Sequence, residues 1–184
     1  FGAMGDFITA PEISQIFGEL IGIWGATCWQ QMGHPGDIKI VEFGPGRGTL
    51  MNDFLRAAKQ VPAFLRALNV HLVEISPVLR HRQRTLLKKY KPTWHYTLET
   101  VPTGPTILIA NEFLDTLPVH QIVKIDTGWT ERRVDSINGN LVFVTGNRST
   151  NLEELVPPTM QEAEWGSVYE VPTESLAIAD KVSN

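Results

Sequence analysis

Residues 38–50 read IKIVEFGPGRGTL, an apolar run that leads straight into three glycines spaced two apart, Gly44, Gly46 and Gly48. No other stretch constrains the fold as much. The run over Ile38–Phe43 lacks the alternation of a half-exposed strand and predicts one buried on both faces, as in a parallel sheet covered by helices. A glycine turn after such a strand lets backbone come close to a ligand, because no Cβ intervenes. Behind the turn, Leu50, Met51, Phe54, Leu55 and Ala58 recur at helical spacing.

The same rhythm continues. Further strands are expected at Val70–Ile75 and Thr106–Ala110, with a weaker one near Trp94–Thr97. Between them fall a short helix over Pro62–Leu68 and a longer one from the Ser76-Pro77 cap through Tyr90. Strands alternating with helices indicate parallel βαβ units. From Val119 the pattern becomes a meander, Val119–Ile125, Trp129–Asp135 and Leu141–Thr145, with turns at 126–128 and 138–139. Residues 146–166 read as loop, and Thr173 as the cap of a last helix.

Before the first strand, Thr9-Ala10-Pro11-Glu12 has the form of a capping box. It predicts one long helix to Gly33, whose stripe of Ile13, Ile16, Phe17, Leu20, Ile23 and Trp24 is expected to pack into the core.

The fold class expected is therefore α/β: a Rossmann-like, mostly parallel sheet with helices on both faces and an antiparallel β-meander insertion. A single domain is expected over 1–184, with an N-terminal motif and helix (5–33), a core (37–118), the meander (119–146), and a loop and C-terminal helix (147–184). The parallel strands are fewer than the roughly five to seven of a doubly wound sheet. The chain also opens at Phe1 inside a dense motif, so it reads as part of a longer protein with further strands after Asn184.

Composition narrows the function classes. A net charge of −4 argues against a dedicated nucleic-acid binder. The basic run RHRQRTLLKKYK (80–91) reads as a solvated helix face, with Leu79, Leu86, Leu87 and Tyr90 turned inward. Cys28 is the single cysteine, which rules out an internal disulfide and fits a reducing compartment. The histidines at 34, 71, 81, 95 and 120 have no metal-ligand spacing, so no metal is expected. No apolar run reaches the roughly 18 residues of a membrane span.

The spacing of the glycines tests the ligand. A P-loop needs Lys-Ser/Thr after its last glycine, and here Arg47 and Thr49 flank Gly48 instead. A dinucleotide fingerprint places its third glycine at 49, one residue later than in this sequence. The form Glu42-x-Gly44-x-Gly46-x-Gly48 resembles the first motif of Rossmann-like S-adenosylmethionine-dependent methyltransferases. An acid there suits a ligand with a zwitterionic amino-acid end and a sulfonium cation, where a pyrophosphate would be repelled. Glu74 ends the second strand, where a carboxylate can accept from both ribose hydroxyls. A purely structural strand–helix turn, or an NAD-binding domain, stays open on the glycines alone.

Two further stretches, GDFITAPEISQIFGE (5–19) and NEFLDTLPVHQIV (111–123), combine with VEFGPGRGTL (41–50). Together they resemble the MidA-like methyltransferases, a family that includes a mitochondrial enzyme assisting respiratory complex I assembly. The resemblance covers residues 5–123. It implies S-adenosylmethionine as cofactor, a protein arginine as acceptor, and a complex I subunit as one possible partner. It also implies a bacterial cytoplasmic or mitochondrial matrix location.

The cofactor residues expected are Glu42, Gly44, Pro45, Gly46, Gly48 and Glu74, with Asp6, Thr9 and Glu12 folding over the site. For a guanidinium acceptor, carboxylates at Glu112 and Asp115 are the candidates, because they pair with it bidentately, and Asn111 could orient it. Simple roles as caps or turns compete for Thr9, Glu12, Glu112 and Asp115. A non-catalytic assembly factor using the same fold is the alternative from another function class.

Overall fold

The structure is a computed structural model that describes residues 8–146 and 150–183. It separates into two compact units, residues 1–114 and 115–184.

The first unit carries a parallel sheet. Its strands are β1 (Ile38–Phe43), β2 (Leu68–Val73), β3 (Thr93–His95) and β4 (Thr106–Ile109), in the order β3-β2-β1-β4. All six residues of the central β1 are buried, the apolar Ile38, Ile40, Val41 and Phe43 together with Lys39 and Glu42. In register, Ile38 faces Leu68 and Lys39 faces Thr106, so the carboxyl ends of β1, β2 and β4 lie at one edge. The helices are α1 (Ala10–Ile13), α2 (Gln15–Gln31), α3 (Thr49–Ala58), α4 (Pro62–Ala67) and α5 (Pro77–Leu87). Phe54, Phe64, Met51 and Leu72 lie at the centre of the core.

Two expectations about helices are corrected. The long N-terminal helix is broken at Ser14, whose backbone is extended (φ −147°, ψ 124°). The Ser14 hydroxyl accepts from the Ile16 N–H at 3.3 Å, capping α2 at the cost of continuing α1. The apolar stripe is also not in the core of this chain: Ile13 is 74% exposed, Leu20 60% and Trp24 50%, with only Phe17 partly packed.

The buried face of α2 is instead Gly18, Gly22, Gly25, Ala26 and Trp29. A Cβ on Gly22 would stand 2.6 Å from the Phe54 carbonyl oxygen, and one on Gly18 would stand 2.7 Å from the Asp53 Cβ. The small face lets α3 approach backbone to backbone, which turns the large side chains outward. At the edge of this seam Arg56 bridges Glu19 of α2 (2.7 Å) and Asp53 of α3 (2.9 Å).

The second correction concerns α5. Its inward positions are Arg80, Gln83 and Leu87, while Leu86 is exposed. Arg80 donates from Nε to the Glu74 carbonyl at 2.8 Å and lies 3.8 Å over the Tyr96 ring, so a charged residue takes a core position the basic run was read as leaving to leucine.

The second unit is an antiparallel sheet of β5 (His120–Ile125), β6 (Gly128–Ile137), β7 (Asn140–Thr145) and β8 (Val168–Val171), in the order β7-β6-β5-β8. The expected meander is present. Its β6–β7 turn uses Asn138 and Gly139, both at positive φ, as a two-residue hairpin of this hand needs. The strand β8 adds a fourth member beside β5; four residues carry too little alternation to read from sequence. The unit also holds the helices α6 (Thr150–Glu153) and α7 (Thr173–Ser183), and its core is Ile122, Trp129, Val156 and Val171, with Leu152 of α6 packed against it.

Candidate functional site

The glycine loop leaves β1 at the carboxyl edge of the sheet. The Gly44 N–H donates to the Val73 carbonyl at 3.0 Å, fixing the loop to the end of β2. The Gly48 N–H then donates to the Pro45 carbonyl at 2.7 Å, closing a tight turn into α3. All three glycines have positive φ, but their surroundings differ. A Cβ on Gly44 would meet the Phe113 ring at 2.7 Å, and Phe113 stacks on Phe43. One on Gly48 would touch Gln83 and Leu87 of α5 at 3.4 Å. Only Gly46 (φ +52°) faces space with no atom within 4 Å.

That space is a cleft. Its floor is Glu42 with Gly44, Pro45 and Gly46. Thr9 and Glu12 reach it from α1, and Asn111 and Glu112 from the segment after β4. The capping box does not form, because Thr9 makes no side-chain cap. Glu12 reaches across to Arg47 of the glycine loop at 3.1 Å, so α1 is tied over the cleft by an ion pair.

Glu42 is 3% exposed, and its Oε2 has no hydrogen-bond partner among the described residues. Burial pushes its carboxyl up from 4.5 to about 8. At neutral pH the free protein holds this acid largely protonated, and a cation arriving beside it would favour the carboxylate.

Glu74 follows β2 and is buried. Its Oε1 accepts from the Ser76 N–H at 2.8 Å and its Oε2 accepts from the Gln83 side-chain amide at 3.3 Å. The same amide donates to the Gly46 carbonyl at 2.7 Å, which joins Glu74 to the loop.

The structure thus brings Glu42, Gly44, Pro45, Gly46, Thr9, Glu12, Asn111 and Glu112 to one cleft, and Glu74 to the loop through Gln83. Gly48 lies behind the loop, where it starts α3. Glu112 has positive φ (46°), a strained conformation for a non-glycine residue of the kind found at binding sites. Asp115 is exposed in a 3-10 turn (Leu114–Thr116) at the start of the second unit. Asp6 lies outside the described residues.

A family model described as "Putative S-adenosyl-L-methionine-dependent methyltransferase" matches residues 20–184. The chain belongs to this family. It is 35% identical to a Danio rerio protein named protein arginine methyltransferase NDUFAF7, mitochondrial, with all of this chain and 49% of that protein covered. It is 38% identical to the Homo sapiens protein of the same name, over 84% of this chain and 41% of that one. A Burkholderia thailandensis protein crystallised with S-adenosyl-homocysteine bound is similar at a TM-score of 0.75 and 28% identity, over 97% of this chain and 46% of that one. The chain spans about half the length of the curated relatives it matches. The Rossmann-like methyltransferase class expected from the glycine motif is the class of these relatives.

Sequence reasoning missed two contributors. Arg82 lines the cleft from α5, inside the run read as a solvated face. Gln83 is fully buried beneath the loop. The signal was available in the spacing of Arg80, Gln83 and Leu87, which fall on one helical face, but a reading weighted by hydrophobicity passes over it. No group of three or more His, Cys, Asp or Glu side chains that could hold a metal occurs among the described residues. No described helix is long and apolar enough to cross a membrane.

Proposed function

We propose that the first unit binds S-adenosylmethionine in the cleft at the glycine loop and that the whole protein uses it to methylate arginine on a protein partner. The observation that carries the cofactor reading is the Glu42 carboxyl, buried with one oxygen unpartnered at the floor of an open cleft. A buried acid without a partner costs stability unless a ligand completes it, which an ammonium group does by donating a hydrogen bond and a sulfonium only through its positive charge. The other cleft residues fit the same ligand. Gly46 leaves room for close backbone approach, and Glu74, joined to the loop through Gln83, is the group proposed to receive the ribose hydroxyls. Arg47, released from Glu12, can take the ligand's carboxylate, and Thr9 and Glu12 close the cleft from α1.

When bound, S-adenosylmethionine supplies an activated methyl group, so the protein needs no nucleophilic residue of its own. What these side chains contribute is alignment and exclusion of water. Glu112 and Asn111, on the cleft beside Gly44, are the groups that would hold an incoming guanidinium, with the Glu112 carboxylate as the acceptor for the proton that the methylated nitrogen gives up. Asp115 is kept as a further candidate for that role. The relatives named protein arginine methyltransferase support arginine as the acceptor. A respiratory complex I subunit in the mitochondrial matrix, or a counterpart in the bacterial cytoplasm, is the partner and place this reading favours.

The test has two stages. Thermal shift should show stabilisation by S-adenosylhomocysteine and none by NAD(H); the reverse pattern overturns the cofactor reading. Label transfer from methyl-labelled cofactor to candidate subunits by the full-length protein then tests turnover. Cofactor binding without any transfer to a folded partner supports the non-catalytic assembly factor instead.

A further inference from the structure

The geometry points to Gln83 as a positioning residue that sets the spacing between the glycine loop and the Glu74 carboxylate, and through it the cleft's selectivity for a ribose carrying both hydroxyls. This rests on the cofactor reading above. Gln83 lies in the run that reads as a solvated surface, yet its side chain has no exposed area.

Its orientation is decided by its partners. The Trp94 indole N–H lies 2.8 Å from Oε1 of Gln83, and an indole nitrogen only donates. The atom facing it must therefore be the amide oxygen. That leaves the NH2 group facing two acceptors, the Gly46 carbonyl at 2.7 Å and Glu74 Oε2 at 3.3 Å. Every polar function of the amide is used, and a flipped amide would set oxygen against both acceptors and leave the indole N–H facing an NH2. One side chain therefore holds two elements at once.

Two consequences follow at the cleft. The peptide between Gly46 and Arg47 is trans, so anchoring the Gly46 carbonyl to Gln83 turns the Arg47 N–H away from α5. The Glu74 carboxylate, held at Oε1 by the Ser76 N–H and at Oε2 by Gln83, keeps one rotamer, and its remaining lone pairs have a fixed direction. A carboxylate free to rotate would accept one ribose hydroxyl as readily as two. A fixed one distinguishes a ribose from a deoxyribose, by the strength of a hydrogen bond to a charged group, about 10-fold or more in affinity.

The experiment measures binding of S-adenosylhomocysteine and its 2′-deoxyribose analogue by calorimetry to wild type, Gln83→Met and Trp94→Phe. Wild type should prefer the ribose form by about 10-fold or more. Gln83→Met keeps the length and loses the donors, and should bring the two ligands to within about 3-fold. Trp94→Phe removes the indole N–H that orients the amide while keeping an aromatic ring, and should reduce the preference part-way, which keeps the question answerable if Gln83→Met does not fold. A merely structural brace would weaken both ligands alike and leave their ratio unchanged, and that result overturns the inference while the cofactor reading stands. Failure of wild type to bind either ligand removes the cofactor reading and this inference with it.

Discussion

The first unit uses glycine in two places, and the two differ in what the missing side chain makes room for. On α2, Gly18, Gly22 and Gly25 face α3 so closely that a Cβ would meet its atoms at 2.6–2.7 Å. In the loop, Gly46 faces open cleft, and a left-handed backbone rather than a neighbour demands glycine there. The seam is arranged for packing. At the cleft, the same few residues gather a left-handed turn and a buried acid with an unpartnered oxygen, both of which cost stability. Local costs concentrated at one place while the rest of the unit is self-consistent are what a binding site leaves in a fold.

The largest effect expected on the cleft side belongs to Glu42. Its pKa in the folded protein, pushed by burial to about 8, exceeds the ordinary value of 4.5, so the folded state retains a proton that the unfolded chain has lost. Stability from this group is complete below pH 4.5 and is lost as pH rises through about 8, a span on the order of 5 kcal/mol. Glu42→Gln should abolish that slope and exceed wild type in stability at pH 9. The pair His71 and His95, whose pKa values are lowered by burial, contributes the opposite slope near pH 6.5, but equally in both proteins. Urea denaturation at pH 5, 7 and 9 gives the difference, and parallel pH profiles for the two proteins would show that the acid is solvated.

On the seam side, Gly22→Ala sets two effects against each other. Helix propensity alone would make the variant more stable by about 1 kcal/mol. The Phe54 carbonyl 2.6 Å from the new Cβ, with the Ala57 Cβ at 2.9 Å, should reverse the sign and destabilise by about 2 kcal/mol. Stabilisation by S-adenosylhomocysteine should persist in the variant. A higher melting temperature than wild type would mean that α2 does not seat on α3 through its glycines.

Gly46→Val should do the reverse. Nothing lies within 4 Å of the new Cβ, so the unliganded protein should lose only the cost of a left-handed non-glycine residue, about 1–2 kcal/mol. Ligand-induced stabilisation should vanish, because the side chain fills the approach to the backbone. If thermal shift still responds to S-adenosylhomocysteine, the loop is a structural turn and the contrast with the seam collapses.

How much of this was legible depended on whether burial leaves a period in the sequence. β1 is buried along its whole length, and a mostly apolar run without the alternation of a half-exposed strand announced it. The loop announced itself through glycine spacing, and Glu42 through its place before the first glycine. Gln83 and Arg80 share a helical face with Leu87, but hydrophobicity alone did not mark that face as buried, since their burial is made possible by partners such as Glu74 and Trp94 that arrive from other elements. The same holds for the three loop glycines: one pattern in sequence, yet Gly44 makes room for Phe113 and only Gly46 for the cleft. β8 was hidden because its pairing to β5 crosses more than forty residues of chain, from 120–123 to 168–171.

The smallest effect expected is also the one that most sharpens the comparison. The stripe of Ile13, Ile16, Leu20, Ile23 and Trp24 has the spacing of a core face, and hydrophobicity alone puts it inside. In this chain it is outside, because helix α2 has two faces that could pack and the glycine face brings α3 closer. Substituting polar residues into a true core stripe costs several kcal/mol, through lost burial and unpaired hydroxyls. Ile16→Ser with Leu20→Ser should instead change the stability of this chain by no more than about 0.5 kcal/mol for each substitution, the scale of surface changes, with a small part of that from helix propensity. Urea denaturation of the double variant reads this directly. A loss of 3 kcal/mol or more would put the large side chains, rather than the glycines, against α3, and the seam described for Gly22 would then be facing the wrong way.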